Sequence, residues 1–245
     1  MKILKNIIPV IKLYRSVKYL SGYRKEIFKA RADGDFEKER EYILQSTDAW
    51  GNYVVKTFDI KLTVVGEENL PESGPVLFVA NHQGFADVVV TCAALNKFQF
   101  AFVAKDSLEM IPIYGKWIKD IRSIYLKRDN PKAALRAVDD GIRLLEQGFS
   151  LLIFPEGARS KNDIVSEFKK GSLRLATKPG IPVIPITIDG AYRVFEETGY
   201  VNYGAPVRLV IHPAIETKGM EKSVANHLST EVENIVREGI VHNNK

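Results

Sequence analysis

Val76-Leu77-Phe78-Val79-Ala80-Asn81-His82-Gln83-Gly84-Phe85-Ala86-Asp87 is the stretch that decides how this chain folds. Its first five residues form an apolar, strand-like run, and its last seven set one histidine five positions before one aspartate. On a continuous helix five residues turn through about 500°, which leaves the two side chains roughly 140° apart. His82 and Asp87 can therefore meet only if the backbone changes course between them. The residues supply that change: a strand end at Ala80, a permissive Gly84, and a helix beginning near Ala86. Asp87 then falls in a first helical turn, where negative charge is favoured. A carboxylate held against one imidazole nitrogen leaves the other free to accept a proton, so His82 is a candidate base and Asp87 its orienting group.

Outward from this unit, short apolar runs alternate with helical segments. Strands are expected at 60–65, 76–80, 100–104, 123–126, 151–154, 183–188 and 207–211. Helices are expected at 86–95, 131–147, 168–178 and 220–238. This predicts an α/β fold with a mixed, mostly parallel central sheet flanked by helices. Polar groups follow the strands: His82 after one, Lys105 after another, Arg128 after a third, and Glu156 to Arg159 after a fourth. Residues just beyond the carboxyl ends of strands line the ligand crevice of such sheets, so a base, cations and a carboxylate at these exits point to an anionic substrate.

Charge is spread unevenly. Of the formal net +5, residues 1–31 carry nine basic groups and one acid, a net +8, which leaves the remainder slightly acidic. At 100° per residue Ile3, Leu4, Ile7, Val10, Ile11, Leu13, Tyr14 and Val17 fall on one half of a helix, opposite Lys2, Lys5, Lys12 and Arg15. No uncharged stretch there is long enough to span a bilayer, so the segment is expected to lie in the plane of an anionic lipid surface. Asp33-Gly34-Asp35 reads as a turn, with Asp35 capping a second helix from about Phe36 to Thr57. The two helices would form an amphipathic hairpin ahead of the sheet. A single cysteine, Cys92, excludes an internal disulfide and reads as a buried thiol. Four scattered histidines give no metal site, no cofactor motif is found, and the acidic remainder argues against nucleic acid.

Several motifs together resemble the glycerolipid acyltransferase family, most closely its bacterial-type 1-acylglycerol-3-phosphate acyltransferases. Asn81, His82 and Asp87 match its Asn-His-x4-Asp block. Ile124-Tyr125-Leu126-Lys127-Arg128 matches a second, and Phe154-Pro155-Glu156-Gly157-Ala158-Arg159-Ser160 a third, with Ala158 in place of Thr. Val183-Ile184-Pro185-Ile186 matches a fourth, and Lys105, Pro112 and Gly115 fall in a similar stretch, though Ser107 stands where Glu is common. All occur in order over about residues 60–212.

Residues 1–58 lie outside the resemblance and are expected, from their charge and amphipathic pattern, to form a membrane-associating hairpin; the resemblance implies 59–245 as an α/β acyltransferase domain. It implies transfer of a fatty acyl group from acyl carrier protein or acyl-CoA to the sn-2 hydroxyl of lysophosphatidic acid, at the cytoplasmic face of the cell membrane. The protein would be peripheral or monotopic, held through residues 1–31. Transfer from a thioester needs a base rather than an enzyme nucleophile, because the thiolate already leaves readily; His82 and Asp87 fill that need. Arg159 suits phosphate through its planar fork, with Arg128 and Lys105 in support. Glu156 is expected on a glycerol hydroxyl or against Arg159, and amides near Gly157 on the oxyanion. Another lysolipid acceptor, or a non-enzymatic membrane-shaping role, remains open.

Overall fold

The computed structural model describes residues 2–127 and 130–241. Helices α1 (Lys2–Gly22), α2 (Arg24–Ala32) and α3 (Phe36–Thr57) precede strand β1 (Lys61–Val65). Then come β2 (Leu77–Ala80), α4 (Ala86–Ala94), β3 (Phe100–Lys105), α5 (Tyr114–Asp120) and β4 (Ile124–Leu126). The chain continues through α6 (Pro131–Glu146), β5 (Ser150–Ile153), α7 (Arg174–Thr177), β6 (Val183–Asp189), β7 (Pro206–Ile211) and α8 (Lys222–Glu238). One sheet holds the seven strands in the order β1-β7-β6-β2-β5-β3-β4. Every neighbouring pair is parallel except β6 with β7, so β1 and β7 run against the other five. The mixed, mostly parallel sheet expected from the sequence is present.

Strands β2, β5 and β6 are buried at every residue, as parallel strands covered on both faces must be. Their alternation divides the core. Leu77, Val79, Leu151, Ile153 and Val183 meet α6 and α8, while Phe78, Ala80, Leu152 and Ile184 share a cluster with α3 and α4. Phe78 packs edge-on against Phe98 and Phe100 at 5.8 and 6.0 Å. Each such fully buried ring contributes about 1.5–3 kcal/mol from burial alone.

The N-terminal helices share this core through Leu20, Ile27, Ile43, Trp50 and Val54. A buried carboxylate fastens them: Glu39 meets Arg31 at 2.7 Å and both Nε and Nη2 of Arg122 at 2.6 Å, while Arg24 reaches Asp120 at 2.6 Å. Breaking such a buried pair by removing one partner costs about 3–5 kcal/mol, so the network holds α2 and α3 to the end of α5. The cap expected at Asp35 forms, accepting from the Lys38 amide at 3.1 Å. The first helical segment is not continuous up to the turn at residues 33–35: it breaks at Tyr23 into α1 and α2.

Two further differences have local causes. The helix expected over 168–178 shrinks to α7, because the Phe168 amide donates to Glu233 Oε2 at 2.8 Å and the Lys169 amide to the Pro155 carbonyl at 3.2 Å. Helix α5, absent from the sequence expectation, has seven residues and is entered through Ile113 at φ 71°, too short for a periodic signal. On α1 the apolar residues divide between two faces: Leu20 is buried and Leu13 packs inward, whereas Ile7, Ile8, Val10, Ile11 and Tyr14 are exposed. Among the described residues, no helix is long and apolar enough to cross a membrane.

Candidate active site

Strands β5, β2 and β6 are adjacent and parallel, so their carboxyl ends open side by side. His82 follows the middle strand. Asn81 prepares its exit by acting as a stand-in for backbone: its amide donates to the Ile188 carbonyl at 2.8 Å and accepts from the Ile188 amide at 2.7 Å. Gln83 accepts from the Ala191 amide at 3.0 Å. With both neighbours pinned to β6 and the segment after it, His82 is left to project from the turn.

The strand-turn-helix expectation holds at atomic detail. His82 Nδ1 lies 2.6 Å from Asp87 Oδ2, and the same oxygen accepts from the Gln83 and Gly84 amides at 2.7 and 2.8 Å. Asp87 is fully buried and opens α4. A carboxylate can only accept here, so Nδ1 carries the hydrogen and Nε2 keeps its lone pair. The ring stacks on Phe154, with centroids 4.2 Å apart and planes 18° apart, and 20 % of the His82 side chain remains exposed. Hydrogen bond and stacking together fix both the tautomer and the orientation of the imidazole.

Glu156 departs from expectation. Its Oε1 accepts from the His82 amide at 2.6 Å and its Oε2 from the Ser166 amide at 2.9 Å, so both oxygens are committed to backbone rather than to a substrate hydroxyl or Arg159. Burial pushes its carboxyl above the usual glutamate range, opposed by these bonds. Gly157 is also differently employed: its amide closes a turn onto the Phe154 carbonyl at 3.1 Å, at a φ of 79° that disfavours side chains. The Ser160 and Lys161 amides donate to the His82 and Gln83 carbonyls at 2.8 and 3.1 Å. The third motif is thus the brace that holds the first, and these amides are not aimed at an oxyanion.

Arg159 is brought to the site. Its guanidinium carbon lies 3.7 Å from the centroid of the Phe85 ring, and its Nη1 donates to Glu196 Oε1 at 3.1 Å. Lys105 ends β3 as an exposed side chain, one strand beyond β5, and Arg128 lies outside the described residues. Sequence reasoning missed Phe154 as the stacking partner and missed Glu196 altogether. Only the strand-exit rule applied to β6 would have drawn attention to the segment containing Glu196-Glu197. Cys92 is buried as expected, and burial pushes its thiol far above the ordinary range.

An imidazole with a fixed tautomer, its orienting carboxylate, and a partly exposed guanidinium on the adjoining loop make an arrangement that is chemically able to deprotonate a hydroxyl on an anionic substrate. The Acyltransferase family profile matches residues 61–189, more than half of the chain, and the chain belongs to that family. It is 36% identical over 169 residues to a chloroplastic 1-acyl-sn-glycerol-3-phosphate acyltransferase of Arabidopsis thaliana, covering 68% of this chain and 46% of that protein. It is 29% identical over 182 residues to a 1-acyl-sn-glycerol-3-phosphate acyltransferase of Borreliella burgdorferi, covering 74% and 71%. The chain spans about half the length of the plastid relatives it matches. The crystal structure of the 1-acyl-sn-glycerophosphate acyltransferase PlsC from Thermotoga maritima superposes with a TM-score of 0.78 at 29% identity, covering 98% of this chain and 96% of that one.

Proposed function

We propose that this chain is a 1-acylglycerol-3-phosphate O-acyltransferase, moving a fatty acyl group from acyl carrier protein or acyl-CoA to the sn-2 hydroxyl of lysophosphatidic acid. The observation that carries this is the 2.6 Å contact between His82 Nδ1 and Asp87 in a turn whose Phe85 ring stacks on Arg159 of the adjoining loop. Its Nε2 removes the hydroxyl proton as the oxygen attacks the thioester carbonyl carbon. The tetrahedral intermediate collapses, the carbon–sulfur bond breaks, and the thiolate takes the proton from the imidazolium. Asp87 stabilises that imidazolium while it lasts. Arg159 binds the acceptor phosphate, with Lys105 and Arg128 as supporting cations; the products are phosphatidic acid and a free thiol.

Residues 1–58 are the membrane-associating part of the protein and 59–245 the catalytic part, operating as a peripheral or monotopic enzyme on the cytoplasmic face. Support comes from α1. Its outward residues Ile7, Val10, Ile11 and Tyr14 are exposed, and Lys5, Lys12 and Arg15 flank them. Apolar burial plus roughly 1 kcal/mol per basic group near an anionic surface would hold such a helix in the interface. Leu20 and Ile27 belong to the core, so this anchor is tested by surface substitution rather than by deletion.

The activity is tested by following thiol release from a purified acyl thioester. Release that depends on added lysophosphatidic acid, with phosphatidic acid as product, is the expected result. Equal release without acceptor would identify a thioesterase, and dependence on a different lysolipid would reassign the acceptor.

A further inference from the structure

Glu196 lies seven residues beyond the matched region and outside every motif quoted above. Its side chain is 4% exposed. Oε1 accepts two bonds, from the Phe85 amide at 2.9 Å and from Arg159 Nη1 at 3.1 Å. Oε2 is buried and bonds to no described group. A Cβ placed on Gly84 would come within 2.3 Å of Oε2 and 2.7 Å of Cδ, so the missing side chain at Gly84 is the space into which this carboxylate fits. Arg159 is therefore held on two sides, its face by the Phe85 ring and its edge by Glu196, which also binds the backbone of the residue that supplies the ring.

The segment carrying Glu196 is itself braced. The Gly199 amide donates to Phe195 at 2.7 Å and the Asn202 amide to Val194 at 2.9 Å. From α1, Asn6 Nδ2 donates to the Gly199 carbonyl at 2.9 Å, and Lys5 Nζ sits 4.3 Å from the Tyr200 ring centroid. A buried carboxylate with an unbonded oxygen is unfavourable, and a neutral acceptor would satisfy the Phe85 amide equally well. What the charge adds is a fixed guanidinium.

We propose that Glu196 is the positioning residue for Arg159, holding it ready for the acceptor phosphate; this rests on the phosphate role given to Arg159 above. A guanidinium has five N–H donors, and Glu196 takes one, which leaves the rest of the fork for phosphate oxygens. An arginine clamped beforehand loses less freedom when the lipid binds. The phosphate takes no part in bond making, so its contacts serve ground state and transition state alike, and Glu196 acts on KM rather than kcat.

The test uses the full chain with Glu196→Ala, Glu196→Gln, Arg159→Ala and the Arg159→Ala/Glu196→Ala double variant. For each, KM and kcat are measured with 1-acylglycerol 3-phosphate in mixed micelles, together with the Kd of that lipid in the absence of donor. Glu196→Ala is expected to raise KM and Kd about tenfold with kcat nearly unchanged, and to change neither once Arg159 is gone. Glu196→Gln, which keeps an acceptor for the Phe85 amide, is expected to show the same pattern at a smaller size, and carries the test if the alanine variant does not fold. An unchanged KM and Kd, or a loss that multiplies with that of Arg159→Ala, would overturn the proposal. If the coupling is intact but equally large with 1-acylglycerol, which has no phosphate, the positioning stands and the phosphate role of Arg159 falls.

Discussion

Two side-chain pairs lie at neighbouring strand exits, and they are built differently. His82 and Asp87 are five residues apart in one turn, and a single oxygen of Asp87 gathers the imidazole and two backbone amides. Arg159 and Glu196 are 37 residues apart, leave the sheet from β5 and β6, and share one hydrogen bond beside an aromatic ring. The contact within the first pair is made inside one loop, which the neighbouring strand exits brace; the second exists only because β2 separates β5 from β6 and opens all three exits together. Under the proposed function, the compact local unit would carry the chemistry and the long-range one the recognition, so that the acceptor's phosphate is held without disturbing the base.

The largest effect should come from the local pair. His82→Ala is expected to lower kcat by roughly a thousandfold or more with the melting temperature nearly unchanged, since the proposed mechanism takes the hydroxyl proton on this imidazole. Activity within tenfold of the parent protein would remove His82 from the mechanism. Asp87→Asn should follow, with a loss of order a hundredfold to a thousandfold, because an amide can present its NH2 to Nδ1 and favour the wrong tautomer. Unlike His82→Ala it should also lower stability, since two amides depend on the same carboxylate. A stable Asp87→Asn protein with full activity would break the contrast between the pairs.

Membrane seating should produce a middle-sized effect. Ile7→Glu together with Ile11→Glu, both at exposed positions, is expected to weaken binding to anionic vesicles at least tenfold, given about 1.5–3 kcal/mol for each fully buried isoleucine. Sedimentation with vesicles checks this. Unchanged binding would show that the outward face of α1 does not enter lipid.

The smallest effect is a pH dependence carried by Glu196. Burial raises the Glu196 carboxyl above the usual 4.5, against the opposing influence of the Phe85 amide and Arg159. A raised carboxyl binds its proton more tightly in the folded chain, so its contribution to stability is largest below pH 4.5 and is lost as pH rises through the folded value. The stability of the parent protein relative to Glu196→Gln should therefore fall across that window in denaturant titrations and then level off. A difference that grows with pH would mean that the pairing with Arg159 outweighs burial.

The same contrast explains what could be read from the sequence. All seven strands were legible because apolar or alternating runs, which form strands of three to seven residues, stand between helical and turn segments. The His82 and Asp87 contact was legible because their spacing excluded the alternative of a single helix. Glu156 was visible as a motif residue, but its partners, the His82 and Ser166 amides, are fixed by tertiary packing that its neighbours do not encode. Glu196 was invisible because two adjacent acids in a short irregular segment carry no periodicity and the partner of Glu196 comes from another strand exit. Helix α5 was missed because seven residues carry too little periodicity, and the uncoiled start of 168–178 because its amides are claimed by distant groups.

Division of labour between the two pairs is tested most directly by comparing acceptors. The measurement is kcat/KM for 1-acylglycerol 3-phosphate divided by that for 1-acylglycerol, in the parent protein and in Arg159→Ala. The ratio should collapse by about a hundredfold in Arg159→Ala through loss of the phosphate acceptor alone, with the uncharged acceptor nearly unaffected. A ratio that stays at the parental value while both acceptors lose activity together would contradict it, and would make Arg159 part of the catalytic pair rather than the recognition of phosphate.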